Sequence, residues 1–268
     1  MDCRQKMYRA GKLLGVGLTA VALCGTAPSS ASGVLLTFFG EDLVQGDRNA
    51  PRPNSDAARQ AFFDALISPT TEDFEGFSDG DVPSVLTFGP DTATFTALST
   101  LQVVNLPTGN QVGRFPTSGT KFVQVDGTTG EFMTIEFSEP QAAFGFMATD
   151  IGDFSGDLQL ILDNGQQQIV DIPHSIFPDD ISPRSALTGA AMFFGVIATT
   201  EDELFTSVTW ENVGSSADFY GFDDMTIGRL DEVRDPDRIA AVPEPATAGL
   251  GALALAGLSG YLARRRRR

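Results

Sequence analysis

The chain has 268 residues, with 35 acidic and 18 basic side chains and a net charge of −17. Nine of the 18 basic residues but only two of the 35 acidic ones lie outside residues 33–241, so that stretch carries a net charge of −24. A surface this acidic repels phosphate backbones, which excludes nucleic acid as a partner and favours divalent cations or neutral molecules. Cys3 and Cys24 both precede residue 33, so the remaining domain is expected to fold without disulfides.

Residues 1–32 have the three parts of a secretory signal peptide. Four basic residues precede the apolar run Leu13–Leu23, and small residues around Ala31 offer a site for signal peptidase. Cys24 leaves lipoprotein processing as one alternative, although Leu23 stands where a lipobox has a small residue. A retained N-terminal anchor is the other alternative, but the apolar run is shorter than the about 20 residues that a membrane-spanning helix needs.

Residues 33–71 are predicted to form an N-terminal extension that contains one helix, over about residues 55–67. Apolar side chains recur at a spacing of four from Ala58 to Leu66, which gives the helix one apolar face. Ser55 stands where an N-cap is expected, and a proline shortly after the apolar residues ends the helix. The width of the apolar face predicts that this helix packs on the main domain.

Residues 72–228 are predicted to form an all-β domain, because short apolar runs alternate with turns rich in Gly, Asp and Asn. The clearest unit is a hairpin in which Leu158–Leu162 and Gln168–Ile172 flank Asn164-Gly165, a pair that tolerates the positive φ angles of a type I′ turn. This pattern predicts an antiparallel sandwich of two sheets, followed by a charged linker at residues 229–241. The other predicted strands are Val34–Phe39, Lys121–Val125, Phe132–Phe137, Ala191–Ala198, Phe205–Trp210 and Tyr220–Gly228.

Residues 242–268 combine three features in a fixed order. Val242-Pro243-Glu244-Pro245 begins the segment, an apolar run extends from Ala248 to Ala263, and five consecutive arginines, Arg264–Arg268, end it. An arginine cluster stays on the cytoplasmic side of a membrane, so the apolar run is predicted to be a C-terminal membrane helix. Together the three features resemble the PEP-CTERM sorting signal of Gram-negative bacteria.

This resemblance implies export across the inner membrane of a Gram-negative bacterium and initial anchoring by the C-terminal helix. It also implies recognition and processing by an exosortase, after which the protein is at the cell surface or outside the cell. Proteins of that family are associated with exopolysaccharide and biofilm. An ordinary C-terminal membrane anchor that contains Pro-Glu-Pro is the alternative interpretation.

Asp73–Phe77 and Gly221–Ile227 are predicted to be the first and last strands of the sandwich, paired with each other. A Phe-Glu-Gly start and a Gly-Phe-Asp-Asp end resemble PEP-CTERM ectodomains of jelly-roll shape, which are similar to carbohydrate-binding modules. In such modules a Glu near the first strand and an Asp near the last share a structural calcium ion, so the resemblance implies this role for Glu75 and Asp223. The full set of candidate calcium ligands is Glu75, Asp223, Asp224, Asp79 and Asp81.

Side-chain parity along the last strand supports the same site. Asp223 shares parity with Met225 and Ile227, so it is expected on the core-facing side at a strand end, where a carboxylate needs a partner. A cation is the simplest partner, and calcium takes six to eight oxygen ligands. Asp224 faces the other way. The alternative is that these acids are solvated turn residues.

Two aromatic residues are candidates for sugar binding. Tyr220 is expected to be an exposed ring near the last strand, whereas Trp210 shares parity with Val208 and fits the core better. Catalysis has little support, because the sole histidine, His174, lies in a proline-rich connection without a recognisable nucleophile motif. A second acidic cluster, at residues 150–157, lacks the spacing of an EF-hand loop and is typical of a turn.

The sequence therefore predicts a non-enzymatic surface or matrix protein that is exported, anchored, processed by an exosortase and associated with extracellular polysaccharide. A calcium-stabilised carbohydrate-binding module is the first alternative. A secreted hydrolase that uses paired carboxylates, as glycosidases do, is the second.

Overall fold

The computed structural model describes residues 35–44, 46–106, 113–151, 157–173, 189–214 and 217–235, which form two antiparallel β-sheets and one α-helix. The helix α1 is Pro53–Asp64, and the strands are β1 (Leu36–Asp42), β2 (Thr70–Glu72), β3 (Val85–Phe88), β4 (Asp91–Ala97), β5 (Leu101–Asn105), β6 (Lys121–Gly127), β7 (Gly130–Gln141), β8 (Ala143–Ile151), β9 (Leu158–Asp163), β10 (Gln167–Ile172), β11 (Ala190–Ile197), β12 (Phe205–Asn212) and β13 (Asp218–Gly228).

The strands are arranged in two sheets that face each other. The first sheet has the order β1-β11-β8-β13-β6-β5, with β2 also paired to β13, and the second has the order β10-β9-β12-β7-β4-β3. Aromatic side chains fill the space between them, with the Trp210 ring in edge contact with Phe144, Phe146 and Phe222. The predicted fold of two antiparallel sheets with one helix is confirmed, while its likeness to a jelly roll stays a prediction.

The central strands β8 and β11 are buried along their whole length. One side of each strand faces the core between the sheets, where Phe146 and Phe194 pack. The other side carries Met147 and Phe193, which α1 covers. Burial on both faces explains why Ala143–Ala148 of β8 and the whole of β11 lack polar side chains rather than alternating.

Helix α1 begins at Pro53, with Arg52 as its N-cap, so the expectation that Ser55 is the N-cap is wrong. A proline fits the first helical position because its missing N–H would have no partner there. The capping acceptor comes from β1 instead. The Asp42 carboxylate accepts hydrogen bonds from the backbone N–H of Ser55 at 2.8 Å and of Asn54 at 3.1 Å.

Phe62 holds α1 on the first sheet. Its ring is fully buried and packs against Phe38 and Phe193, with ring centroids 5.6 and 5.4 Å away. Gly145 and Gly195 form the floor beneath it, and a Cβ atom at Gly195 would lie 2.7 Å from a Phe62 ring carbon. The absence of side chains at these two positions therefore makes room for the ring.

The predicted hairpin is present as β9 and β10, and Gly165 in its turn has a φ of +98°. The predicted first strand differs, because β2 pairs with β13 through Thr70–Glu72 and Asp73–Phe77 follow the strand rather than form it. The first sheet also includes β1, so strands from before residue 72 belong to the sandwich.

The signal peptide at residues 1–32 and the anchor segment at residues 242–268 lie outside the described residues. Among the helices that the structure does describe, none is long and apolar enough to cross a membrane.

Candidate functional site

Three of the predicted site residues, Glu75, Asp223 and Asp224, meet at one short segment of chain, Thr117–Lys121. The three carboxylates accept hydrogen bonds from the backbone and hydroxyl groups of this segment. We call this arrangement the acidic clasp. It joins the turn after β2, the last strand β13 and the segment that leads into β6.

Asp223 is the most buried member of the clasp, with 1% of its surface exposed. Its Oδ2 atom accepts hydrogen bonds from the backbone N–H of Thr117 at 2.7 Å and of Ser118 at 3.1 Å. The Thr117 hydroxyl donates to the same atom at 3.1 Å. One carboxylate oxygen therefore satisfies two backbone donors that no sheet partner reaches.

A β-bulge between Asp223 and Thr226 places this carboxylate. Asp224 takes a φ of +49°, and the strand turns so that Asp223 lies opposite Met147, beneath the helix side of the first sheet, while Met225 and Ile227 enter the core. The expectation that Asp223 shares the core-facing side with Met225 and Ile227 is therefore wrong, because the extra residue of a bulge changes the parity.

Asp224 completes this side of the clasp. The Ser118 hydroxyl donates to its Oδ1 atom at 2.7 Å, and Nη2 of Arg59 from α1 lies 3.5 Å from its Oδ2 atom. Burial, and then the neighbouring charge of Asp224, raises the pKa of the Asp223 carboxyl well above its ordinary value. Two adjacent buried carboxyl groups cannot both lose their protons without an electrostatic cost, and this cost raises the pKa of Asp223.

Glu75 forms the exposed side of the clasp. Its Oε1 atom accepts the backbone N–H groups of Thr120 and Lys121, both at 2.6 Å. Burial opposes ionisation here, but these hydrogen bonds outweigh it and lower the pKa of Glu75 below the ordinary glutamate value. Gly119 has a φ of +50°, and a Cβ atom there would lie 2.5 Å from Oε1 of Glu75, so the position requires glycine.

The remaining candidate ligands make contacts outside the clasp. Asp81 accepts the backbone N–H of Ser78 at 2.7 Å, and Asp79 accepts the backbone N–H of Asn105 at 2.8 Å. The first contact is typical of a carboxylate that caps a turn, whereas the second ties the loop after Phe77 to the end of β5.

The five candidate ligands do not fit a calcium site in this arrangement. Among the described residues, no group of three or more His, Cys, Asp or Glu side chains is placed to hold a metal ion. The oxygens of Glu75 and Asp223 instead accept N–H and O–H donors, which a cation at the same oxygens would have to displace. Calcium binding itself stays a prediction.

The two candidate sugar platforms are both fully buried. Trp210 lies in the core, as its parity indicated, but the expectation that Tyr220 is exposed is wrong. Tyr220 points inward beside Phe222 and above Gly127, where a Cβ atom would lie 2.1 Å from its ring. Its neighbour Phe219 is exposed instead, because successive side chains in a strand point to opposite faces.

Sequence reasoning missed a buried ion pair between Arg114 and Asp150, on the outer face of the first sheet. Arg114 donates to Asp150 at 2.7 Å and to Gln124 at 3.0 Å, and its guanidinium lies 5.4 Å from the centre of the Phe219 ring. The sequence did contain a signal for this ion pair. Basic residues are scarce in so acidic a domain, so each basic side chain is expected to pair with an acidic one. Two other positions that the sequence singled out, His174 and the segment Val242-Pro243-Glu244-Pro245, lie outside the described residues.

Comparison with known proteins bears on the C-terminal segment. Residues 241–268 match the PEP-CTERM protein-sorting motif. The chain carries an exosortase sorting signal. The motif implies export, a C-terminal membrane-anchored signal and processing by an exosortase, as the resemblance predicted. No curated protein matches the chain.

Solved structures resemble the fold only distantly. The K2 cleaved adhesin domain of Lys-gingipain matches with a TM-score of 0.37 and 10% identity, over 60% of this chain and 97% of that one. The catalytic domain of a GH87 α-1,3-glucanase matches with a TM-score of 0.35 and 14% identity, over 68% of this chain and 30% of that one. A family 29 carbohydrate-binding module matches with a TM-score of 0.26 and 14% identity, over 54% and 99%. These likenesses support no inference about activity or ligand.

Proposed function

We propose that this chain is a non-enzymatic protein of the cell surface or extracellular matrix, released by exosortase processing and associated with exopolysaccharide. The match of residues 241–268 to the sorting motif carries the proposal. The sandwich supplies the exported body. The prediction that a solvated linker begins at residue 229 is wrong, because the backbone N–H of Ile67 donates to the carbonyl of Glu232 at 2.8 Å and that of Arg234 donates to the carbonyl of Ala65 at 2.9 Å, so residues 229–235 pack on the domain. The rest of the predicted linker, residues 236–241, lies outside the described residues. The source is expected to be a Gram-negative bacterium, with signal peptidase as a further processing partner.

The charge of the exported stretch is consistent with this role. Its net charge of −24 disfavours anionic lipid and nucleic acid. Neutral polysaccharide, or acidic polysaccharide bridged by divalent cations, is compatible with such a surface. The protein would then be a component of a hydrated matrix rather than a carrier of one tightly bound ligand.

The adjacent clasp residues Asp223 and Asp224 are unsuited to serve as the paired carboxylates of a hydrolase. Asp223 and Asp224 are 1% and 4% exposed, and their oxygens are hydrogen-bonded to Thr117 and Ser118. A glycosidase needs two carboxyl groups on either side of an accessible sugar. This adjacent pair faces its own chain, so a catalytic role would require Thr117 and Ser118 to move away.

The sorting motif is testable by replacing Pro243, Glu244 and Pro245 with alanine in a host that carries an exosortase. We expect the processed form to disappear and the membrane-associated precursor to accumulate, because the recognition motif is lost. Immunoblotting of membrane and extracellular fractions measures both forms. The matched control replaces Pro236 and Asp237, which lie before the motif, and should be processed normally.

Deletion of the host exosortase should produce the same precursor. If the alanine variant still yields mature protein of normal size and location, the sorting interpretation is wrong.

Carbohydrate binding is the second candidate, and Phe219 is the observation that favours it. Phe219 is 36% exposed, and the buried guanidinium of Arg114, which donates to Asp150 and Gln124, lies over its ring, so the exposed part of the ring is available for stacking on a sugar. We expect glycan-array binding by the full chain, and Phe219→Ala should weaken the affinity for a bound glycan by about tenfold. Val213→Ala, at another exposed apolar residue, is the control. Absence of glycan binding, or equal binding by both variants, would count against this candidate.

A further inference from the structure

Strand β10 forms one edge of the second sheet. In the part of the chain that the structure describes, its only strand partner is β9, so its other side presents backbone N–H and C=O groups without a partner strand. Gln167, Gln168, Ile169 and Asp171 are all exposed along it. The strand contains no proline and no lysine, which commonly protect an edge from pairing with another chain.

Two of the other edge strands are protected by their own chain. In β5, the backbone N–H of Val103 donates to the carbonyl of Asp81, and the carbonyl of Val103 accepts the N–H of Gly80, both at 2.8 Å. In β3, the N–H of Thr87 donates to the carboxylate of Glu72 at 3.4 Å. These contacts occupy backbone groups that another strand would need, whereas β10 has no such protection among the described residues.

The sequence of β10 is complementary to itself in one antiparallel register. Two identical strands related by a two-fold axis must pair residues of the same parity, because the backbone groups that point to one side alternate along each strand. An axis at Ile169 places Ile169 opposite its own copy and Gln167 opposite Asp171 of the other chain. Axes at Gln168 or Val170 instead place Ile169 opposite a glutamine or an aspartate. Of these three axes, only the one at Ile169 matches apolar with apolar and polar with polar on this face.

The pairs formed about this axis repeat pairs that the sheet already contains. Ile169 is 57% exposed and lies directly opposite Ile161 of β9, on the outer face of the sheet. A second copy of Ile169 would extend this apolar pair across the axis. The side-chain amide of Gln159 in β9 donates to Asp171 at 2.8 Å. The amide of Gln167 from a second chain would make the same kind of contact from the other side of β10.

We propose that β10 pairs with β10 of a second copy of this chain, about a two-fold axis at Ile169. The two 6-stranded sheets would then join into one continuous sheet. A single pair of edge strands is a small interface, so the association is weak and takes effect where copies are held at high local concentration. The net charge of −24 on residues 33–241 opposes it. Affinity is therefore expected to rise several-fold between about 10 mM and about 150 mM salt, as the repulsion is screened.

Disulfide cross-linking of the full-length chain tests the register. Cys3 and Cys24 are its only cysteines, and both lie in the predicted signal peptide, so the parent chain measures the background. Ile169→Cys should form a dimer with its own copy, detected by non-reducing electrophoresis. Directly opposed residues of an antiparallel pair have Cα atoms about 4.5 or 5.5 Å apart, which is within the reach of a disulfide. Val85→Cys, at an exposed residue of β3 on the opposite edge of the same sheet, measures random collision.

Two further cysteine variants distinguish this register from others. Gln167→Cys alone should not link to its own copy, because the two cysteines would lie four residues apart along the strand direction, about 13 Å. The same holds for Asp171→Cys alone. A mixture of the two variants should give the mixed dimer, since the axis at Ile169 places these positions opposite each other.

Ile169→Lys tests the association without a cross-link. We expect it to weaken the concentration-dependent dimerisation of the full-length chain in mild detergent by about tenfold or more, because two like charges would face each other at the axis. Sedimentation velocity measures the dimer fraction. Val85→Lys adds the same charge at the opposite edge of the sheet and should associate as the parent does. The comparison isolates β10 from any association through other parts of the chain.

Four results would overturn the proposal. Ile169→Cys could cross-link no faster than Val85→Cys, or Gln167→Cys could link to its own copy as fast as Ile169→Cys, which would indicate another register. Ile169→Cys could link only to a protein of different mass, which would assign the edge to another partner. Ile169→Lys could leave the dimer fraction unchanged. The pairing does not depend on the sorting signal or on polysaccharide, so its failure would leave the proposed function unaffected.

Discussion

Replacing Asp223 with alanine is expected to lower the free energy of unfolding by about 3 kcal/mol, because it leaves buried donors without an acceptor. The backbone N–H groups of Thr117 and Ser118 both donate to this carboxylate, and the structure offers them no sheet partner. Urea unfolding followed by circular dichroism measures the change. Asp171→Ala, at an exposed acid on the edge strand β10, is the control and should change stability by no more than about 0.5 kcal/mol.

Asp223 is also expected to give the stability of the fold an unusual dependence on pH. Because burial and the charge of Asp224 raise the pKa of Asp223, the folded state keeps a proton that the unfolded state releases. The stabilisation by the protonated group is complete below the unfolded pKa of about 3.9 and is lost as the pH rises through the raised folded pKa. Asp223 therefore makes stability fall with rising pH across this window, opposite to an ordinary ion-paired acid.

Asp223→Asn separates this titration from the hydrogen bonds. The amide cannot ionise, so the stability of the variant relative to the parent should rise with pH across that window, by an amount set by the raised pKa. Any cost of placing the amide Nδ2 near the N–H of Asp224 is constant with pH. A difference between variant and parent that does not change with pH would contradict an ionisable Asp223 with a raised pKa.

The general architecture could be predicted from the sequence because its signals are local. The hairpin at residues 158–172 has its turn pair and its two flanking runs within a few residues of one another. Similarly, the apolar spacing from Ala58 onward indicates a helix with one buried face. The N-cap of that helix could not be predicted, since its acceptor, Asp42, is supplied by another strand.

The candidate site was predicted only in part, because its contacts join residues that are far apart in the sequence. Glu75 and Asp223 bind the two ends of one segment, whereas the shared calcium ion that the resemblance implied stays a prediction. What lies between them is Thr117–Lys121, a polar stretch that locally has no feature beyond those of a loop. The parity argument failed at the bulge of β13, because alternation holds only while a strand has no extra residue. The prediction for Tyr220 was wrong because the position of the opposite sheet decides which face of β13 points into the core, and the sequence of β13 alone does not show it.

Replacing Phe62 with alanine is expected to lower the free energy of unfolding by about 3–5 kcal/mol, the usual cost of removing a fully buried phenylalanine. The floor of Gly145 and Gly195 has no side chains that could move into the space, so the cavity cannot close easily. Phe63→Ala, on the same helix but partly exposed beneath Arg59, should cost distinctly less. Equal losses in the two variants would show that Phe62 does not anchor the helix.

The effect of Phe62 should also reach the acidic clasp, because α1 and its N-cap hold two arginines against it. Arg52 donates to the carbonyl of Thr117 at 3.1 Å, and Arg59 lies 3.5 Å from the carboxylate of Asp224. A helix loosened by Phe62→Ala would weaken both contacts, so part of the stabilisation by Asp223 would already be lost. We therefore expect Phe62→Ala and Asp223→Ala together to cost less than the sum of their separate effects, by about 0.5–1 kcal/mol in a double-mutant cycle. Strict additivity would mean that helix docking and the clasp are energetically independent.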